Sequence, residues 1–597
     1  MPRCNECAKT SLDPEWCDHC GAELREHCAP TIATGHDLVI DGSRVSLIRR
    51  RCLGTAGFSS WDVARDDGTM MRLEILPRRR GTSPAARPPQ HVLCDNTPFF
   101  PIDDASCGAL VEVDAPLLLA EWVAGLHHPR TVDDVLPVWR RLIKCVARLH
   151  EDRHAVLEIA PWVVRLGRDA VTLVASPDVG VWAVPWGTRL GRDINLSTSP
   201  FASPSSRRSA IIEADHVVSP NDDRQSLGLL LFAMATGRLP PMDPRDGALH
   251  PQLPPRSLAP DMGVGFAPLI RRALRVEPTD ADVAVSDAPN GTFVGDLGES
   301  AVRILSHRTR SDATATPTLR VAWSSHPGVA RGQQGTTNQD RAFARLDTKA
   351  KVAIVAVFDG ISTATYGNGE IAAQIALDVV NERTRDLPRM CPRGSDDRSF
   401  LRDVLEAANR SIVEHANREF APFRCDPAEI MGSTATLALV RSHTLCVASI
   451  GDSPAILIRD GFTERLNRDH TTAVLAVCAG SDPATAMESV EAFALSRCLG
   501  NFVVTNDGAL SPIALDCDIF STPVRSGDRI VLCTDGLTGY VGDSEDEALD
   551  AIERIVSNER CPDRAAGRLI RNANAGGGGD NITAALVYVD APGARLR

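Results

Sequence analysis

Two aspartates stand where apolar stretches run out, and a third stands just before one begins. Val352 to Gly360 reads VAIVAVFDG and delivers Asp359. Asp528 to Gly536 reads DRIVLCTDG and delivers Asp535 in the same way. Asp580 follows four glycines and leads through Asn581-Ile582-Thr583 into another apolar stretch, and Asn338-Gln339-Asp340-Arg341 lies just ahead of the first. A carboxylate at a strand end is held by a rigid scaffold yet faces water. Several that converge suit a hard divalent cation, because Mg²⁺ and Mn²⁺ take oxygen ligands and keep waters. A lone Asp-Gly is ordinarily a turn, so the weight rests on the series.

The elements that would position these carboxylates follow in a fixed order: NQDR, VFDG, GSTATLALV (Gly432 to Val440), SIGDSPAILI (Ser449 to Ile458), LNRDHT (Leu466 to Thr471), CTDG and GGGGDNIT. Together they span about half of the chain and resemble the metal-dependent protein phosphatases of type 2C. That resemblance implies, for residues 319–592, a central β-sandwich flanked by helices with the metals in a cleft at one end. It implies hydrolysis of phosphoserine and phosphothreonine, with two Mn²⁺ or Mg²⁺ ions acidifying a water and clamping the phosphoryl oxygens. By position Asp359 bridges both metals, the carbonyl of Gly360 binds one, and Asp535 and Asp580 hold the other. Asp340 orients a water held by the metals, Asp452 matches the ligand of a weaker third ion, and Asn581 supports Asp580.

The chain departs from this pattern at three places. An Arg that grips the substrate phosphate is expected three residues before Asn338, where Gly335 stands; Arg331 and Arg341 are the nearby substitutes. After Gly360 a longer loop, Ile361 to Gly367, carries no His for general acid chemistry. Pro454 replaces a common Arg after Gly451-Asp452-Ser453. With the carboxylates retained, the leading reading is an active phosphatase. The alternative is a catalytically weak or inactive phosphatase-fold scaffold.

At the N-terminus, Cys4-x2-Cys7 and Cys17-x2-Cys20 form two matched knuckles that place four thiolates around a structural Zn²⁺, and residues 1–28 resemble a zinc ribbon. Residues 36–285 resemble a bilobal protein kinase stripped of its chemistry. Gly54 and Gly57 remain of a glycine-rich turn, but Glu74 stands where a phosphate-binding Lys belongs. Val156-Leu157-Glu158 replaces the catalytic-loop triplet, and the metal-binding positions fall on Val163 and Ala175. LLLAEWVAGL (Leu117 to Leu126) reads as the strand and hinge between the lobes. Such a domain is a pseudokinase. Residues 286–318 are a linker rich in Gly, Ser, Thr and Asp. The fold class expected is therefore α+β and multidomain.

Composition agrees and sets limits. With 43% hydrophobic and 24% charged residues over 597 positions, the chain is globular and long enough for several cores. A net charge of -13 disfavours nucleic acid or anionic membrane as a partner. No apolar run approaches the roughly 20 residues of a membrane span, and the start MPRCNEC carries no signal-type segment. Most of the 17 cysteines are scattered singly in apolar segments, which suits a reducing cytoplasm. The partners expected are a phosphoprotein substrate and an active Ser/Thr kinase whose targets the enzyme resets.

Overall fold

A computed structural model describes residues 37–40, 42–53, 58–77, 94–95, 99–102, 106–124, 131–168, 171–174, 183–190, 201–202, 216–237, 254–260, 262–274, 316–385, 396–420, 429–479, 481 and 483–592. The knuckle cysteines Cys4, Cys7, Cys17 and Cys20, the turn at Gly54 to Gly57, Ala175 and residues 286–315 lie outside the described residues. The chain divides into two compact units. One comprises Met1–His250, Gly265–His307 and Val477–Thr485; the other comprises Pro251–Val264, Arg308–Ala476 and Ala486–Arg597.

In the second unit, the strand Val352–Phe358 is buried at every position. A strand with no polar face must be covered on both sides, and this one is. Its odd members Ala353, Val355 and Val357 join Leu445, Val447, Leu457, Ile530, Leu532, Ala585 and Val587 in a core between two sheets. Its even members Ile354, Ala356 and Phe358 face the other way, into a core with Ala372, Ala376, Leu401, Leu405 and Ile412 from the helices Gly369–Arg383 and Asp397–Phe420. The period-two geometry of a strand thus serves two cores at once.

Both sheets have five strands, all paired antiparallel. One runs in the order Arg341–Asp347, Val352–Phe358, Ala435–Arg441, Thr444–Ile450, Asp518–Pro523. The other runs Thr318–His326, Ile582–Asp590, Arg529–Cys533, Ala455–Arg459, Phe462–Arg465. The helices Glu545–Ser557 and Pro562–Ala575 cover its outer face through Ile552, Val556, Leu569 and Ile570. The result is a four-layer sandwich of helices, sheet, sheet and helices, as the resemblance implied.

The first unit contains a six-stranded antiparallel sheet in the order Asp37–Ile40, Ser43–Leu53, Ser59–Arg65, Met70–Pro77, Ser106–Val111, Phe100–Pro101. Val45, Leu47, Trp61, Val63, Leu73 and Ile75 close its apolar face. Its helical part is built on Val132–Glu151 and Pro220–Thr236, both opened by a capping box (Thr131 with Asp134, Ser219 with Asp222). Gly237 ends the second helix at φ 71°, a left-handed cap that glycine adopts without strain.

One segment differs from its sequence reading. Only Leu117–Leu118 is strand, and Leu119–Ala124 is helix. Leu, Ala and Glu favour helix, so the connection out of the six-stranded sheet lies earlier, across Glu112 to Pro116.

Asp223, fully buried on the helix Pro220–Thr236, organises the loop after Val132–Glu151. Its Oδ1 accepts from the backbone N–H of Val156 and of Leu157 at 2.7 and 2.9 Å, and its Oδ2 meets His150 Nε2 at 2.9 Å. The reward holds Leu157 at φ 67°, a left-handed backbone that costs a branched residue. We expect Asp223→Ala to destabilise the first unit by about 3 kcal/mol or more, since it strands two buried N–H groups. Urea unfolding followed by tryptophan fluorescence measures this, because Trp139 and Trp162 are buried in that unit.

Candidate active site

Antiparallel pairing brings the sequence-selected carboxylates to one end of the sandwich. Arg341 pairs with Phe358, so Asp340 and Asp359 flank the same strand edge. Cys533 pairs with Ala584, which sets Asp535 near Asp580 at the matching end of the other sheet. The strand Thr444–Ile450 turns back through Gly451-Asp452-Ser453 into Ala455–Arg459, crossing from one sheet to the other at that same end.

Hydroxyls and amides hold each carboxylate. Thr434 Oγ1 accepts from the Asp359 N–H at 3.0 Å and meets Ser453 Oγ at 2.7 Å, joining the first Asp loop to the Asp452 turn. Thr534 Oγ1 donates to Asp340 Oδ2 at 2.8 Å and accepts from Thr583 N–H at 3.1 Å, so one hydroxyl ties the two sheets together. Asn581 receives the N–H of Gln339 on its side-chain oxygen at 2.9 Å, gives its amide to Pro327 O at 3.0 Å, and donates its backbone N–H to Asp580 Oδ1 at 2.7 Å. The supporting role expected of Asn581 is thus a set of three hydrogen bonds.

Gly360 and Gly369 press backbone to backbone. A Cβ on Gly360 would come within 2.3 Å of the Gly369 carbonyl, and one on Gly369 would meet the Gly360 carbonyl carbon at the same distance. Asp359-Gly360 therefore needs its glycine for close approach.

Electrostatics mark this cluster as unfinished without a cation. Burial, then the charges of Asp535 and Asp580, pushes Asp340 up to about 7 against the pull of Thr583 and Thr534. Burial, then Asp535 and Asp469, pushes Asp452 up to about 8. Asp359 is raised well above the ordinary carboxylate range by burial and by Asp340, Asp535 and Asp452, and it shares a carboxyl hydrogen bond with Asp535. Asp535 is raised as well, again chiefly by burial. Like charges this close cannot all ionise unless a cation joins them.

Asp340 Oδ1 is buried and has no hydrogen-bond partner. All the donors are oxygen, the chemistry of Mg²⁺ and Mn²⁺ sites. Among the described residues no three or more His, Cys, Asp or Glu side chains already stand grouped around one point. The guanidinium of Arg331 lies on Asp580. The all-oxygen donor set fits the cation.

Of the two nearby substitutes at the first departure from the family pattern, Arg331 reaches the carboxylates, lying on Asp580. Gly335, at the expected Arg position, adopts φ 76° in open space, where a side chain would be strained. The short helix Val329–Gln333 presents Arg331 instead; its Nη2 also donates to Gln339 Oε1 at 3.1 Å. Ala330 and Arg331 N–H groups both donate to Gly578 O, docking this turn on the glycine run before Asp580. Arg341, the other substitute, is occupied with Glu370, Gln374 and the carbonyls of Asn338 and Asp340. The loop Ile361 to Gly367 is tied down by Thr365 and Tyr366 N–H bonds to Glu429 O.

Sequence reasoning missed the residues behind the Asp452 turn. His470 Nδ1 accepts from Gly451 N–H at 3.1 Å while the His470 N–H returns to Gly451 O. Arg465 donates to Asp452 O at 3.0 Å and pairs with Asp469, placing a guanidinium behind the Asp452 turn. His470 lies within LNRDHT, and Arg465 immediately precedes it.

Asp518 anchors this network from behind. Burial raises its carboxyl, but hydrogen bonds and charge from His470 and Arg468 outweigh it and hold Asp518 well below the ordinary range. Arg468 grips it at 2.6 and 3.1 Å. A folded-state pKa below the unfolded one stabilises above the unfolded value and is lost as pH falls through the folded one. We expect Asp518→Asn to cost about 2 kcal/mol at neutral pH. The gap between wild type and variant should shrink as pH drops below about 4, read by thermal melts across pH.

Residues 324–582 match the family model "Protein phosphatase 2C". The serine/threonine phosphatase stp of Listeria monocytogenes is 26% identical over 261 residues, 44% of this chain and 93% of that protein. The serine/threonine protein phosphatase PstP of Mycobacterium tuberculosis is 28% identical over 280 residues, 46% of each. Among solved structures, the catalytic domain of PstP in complex with two manganese ions is 26% identical, with a TM-score of 0.34, covering 46% of this chain and 100% of that one. The C-terminal half of the chain carries a protein phosphatase 2C domain.

Proposed function

We propose that the chain, a protein-serine/threonine phosphatase by its protein phosphatase 2C domain, hydrolyses phosphoserine and phosphothreonine at the carboxylate end of the sandwich. The observation that carries the site is the placement of Asp340, Asp359, Asp452, Asp535 and Asp580 at one end of the sandwich by strand register, with Asp340 Oδ1 buried and unpartnered. Asp359, the Gly360 carbonyl, Asp535 and Asp580 would hold two Mn²⁺ or Mg²⁺ ions, with Asp452 on a third. Bound there, the ions supply Lewis acidity toward the phosphoryl oxygens and the attacking water.

The chain's own groups do the rest. Arg331 swings its guanidinium from Asp580 to the substrate phosphate, which it can grip through two N–H groups. Asp340 keeps Oδ2 on Thr534 and offers the unpartnered Oδ1 to orient a water. The Thr434–Ser453 hydroxyl pair keeps Asp359 and the Asp452 turn in register.

A second reading, a catalytically weak scaffold, draws support from the contact of Arg331 with Asp580 and from the absence of a His in the loop after Gly360. The two separate on one assay. Aryl phosphate and phosphothreonine-peptide hydrolysis should depend on Mn²⁺ and fall at least about 100-fold in Asp535→Asn. Arg331→Ala should raise KM more than it lowers kcat. No turnover by a metal-replete, folded wild type would favour the scaffold.

The rest of the chain is proposed to target or regulate this activity: a zinc ribbon over 1–28, a pseudokinase over 36–285, a linker over 286–318 and the phosphatase over 319–592. The strand order of the first unit and the hold of Asp223 on Val156 and Leu157 support a kinase-like body without kinase chemistry. The zinc proposal rests on the spacing of Cys4, Cys7, Cys17 and Cys20 alone. Elemental analysis should find one zinc per chain, lost on substituting Cys17 and Cys20 by Ser; full retention would refute it. Among the described residues no helix is long and apolar enough to cross a membrane. A cytoplasmic site of action is supported by the buried thiols of Cys446, Cys517 and Cys533, none of them in a disulfide. An active Ser/Thr kinase that shares its substrates is the proposed partner.

A further inference from the structure

Inside the first unit, a charged cluster lies where a water-filled cleft is expected. Glu74 sits on Met70–Pro77, a central strand of the six-stranded sheet, and is fully buried. Its Oε1 accepts from Arg72 Nη2 at 2.9 Å and from Arg165 Nη1 at 3.0 Å, and its Oε2 accepts from Arg165 Nη2 at 2.8 Å. Both guanidiniums are buried too. They continue onto the connection Glu112 to Pro116: Arg72 donates to Ala115 O and Pro116 O at 2.9 Å each, and Arg165 donates to Pro116 O at 2.8 Å.

These contacts span three separate pieces of the unit. Glu74 and Arg72 come from the six-stranded sheet. Arg165 comes from Val164–Leu166, a strand of a second, four-stranded sheet, where it pairs with Leu118. The carbonyls belong to the only stretch between the strand Ser106–Val111 of the first sheet and Leu117–Leu118 of the second. The cluster therefore cross-links both sheets and the segment that joins them. A nucleotide bound between two such sheets needs a free cation for its phosphates and free carbonyls along the joining segment for its base. Here the strand offers a carboxylate, both guanidiniums are engaged by it, and the carbonyls are taken.

We propose that the Arg72–Glu74–Arg165 cluster fills this cleft in place of a nucleotide and locks the two sheets together, so that the unit binds neither ATP nor ADP. The proposal rests on the kinase-like reading of residues 36–285. Entry of a ligand would require breaking a buried ion cluster in which both Glu74 oxygens accept from guanidiniums, which is strongly unfavourable once one partner is left uncompensated.

The test titrates the full chain with MgATP and MgADP by calorimetry and thermal shift, beside Glu74→Lys/Arg165→Leu. Wild type should show no binding heat and no shift in Tm at millimolar nucleotide. The double variant, with a lysine restored and the guanidinium removed from the cleft, should gain saturable binding. Saturable binding by wild type would overturn the lock and leave the kinase-like reading standing. A folded double variant that still binds nothing would overturn the kinase-like reading itself. Should the double variant fail to fold, a second comparison decides. Glu74→Ala should lower Tm by several degrees by leaving two buried guanidiniums unpaired. The apolar triple substitution Arg72→Met/Glu74→Met/Arg165→Met should recover most of that loss. A Glu74→Ala chain as stable as wild type would mean that the cluster locks nothing.

Discussion

The phosphatase unit depends on carboxylates that its fold buries against their preference for water. Asp340, Asp359, Asp452 and Asp535 are carried to one end of the sandwich by strands held in register around Val352–Phe358, which is packed on both faces. A slip of one residue would turn Ile354 and Val355 into each other's cores. The packing between sheets therefore fixes positions that the carboxylates, left to themselves, would not take. Thr434, Ser453 and Thr534 complete the arrangement by satisfying backbone and carboxylate atoms that water cannot reach.

The two units treat buried charge in opposite ways. In the phosphatase unit the carboxylates outnumber nearby cations and the site calls for external positive charge. In the other unit both oxygens of Glu74 are met by Arg72 and Arg165. The same distinction separates Asp340, whose Oδ1 is left without a partner, from Asp223, whose two oxygens are committed to backbone N–H groups and His150. Unmet demand goes with chemistry, and met demand goes with architecture.

Much of this was legible in the sequence, for physical reasons. Apolar stretches ending in Asp-Gly announce both the strand and the carboxylate at Asp359 and Asp535, while Asp580 and the sandwich were reached through the resemblance that the ordered motifs carry. Arg331 could be named only as one of two substitutes, because the turn between it and Asn338 is set by the left-handed Gly335 and the docking of Ala330 and Arg331 on Gly578, contacts some 240 residues apart in sequence. Arg465 and His470 were invisible as supports for the same reason: what they hold is a turn more than ten residues away. The boundary at Leu119 was misread because a run of Leu, Ala, Trp and Val suits strand and helix alike.

Cys533 carries a consequence for which metals the site can choose. It is two residues from Asp535, yet its thiol packs with Leu537, Ile552 and Val556 on the helical side of the sheet. Burial there, with Asp535 adding to it against the pull of Arg465, pushes the thiol up to about 12. A protonated, apolar-packed thiol is no ligand. Soft ions such as Zn²⁺ and Cu⁺ thus find no sulfur anchor from this strand, and the donors left are the oxygens that hard ions prefer. Selectivity among metals is built in by turning one side chain the other way.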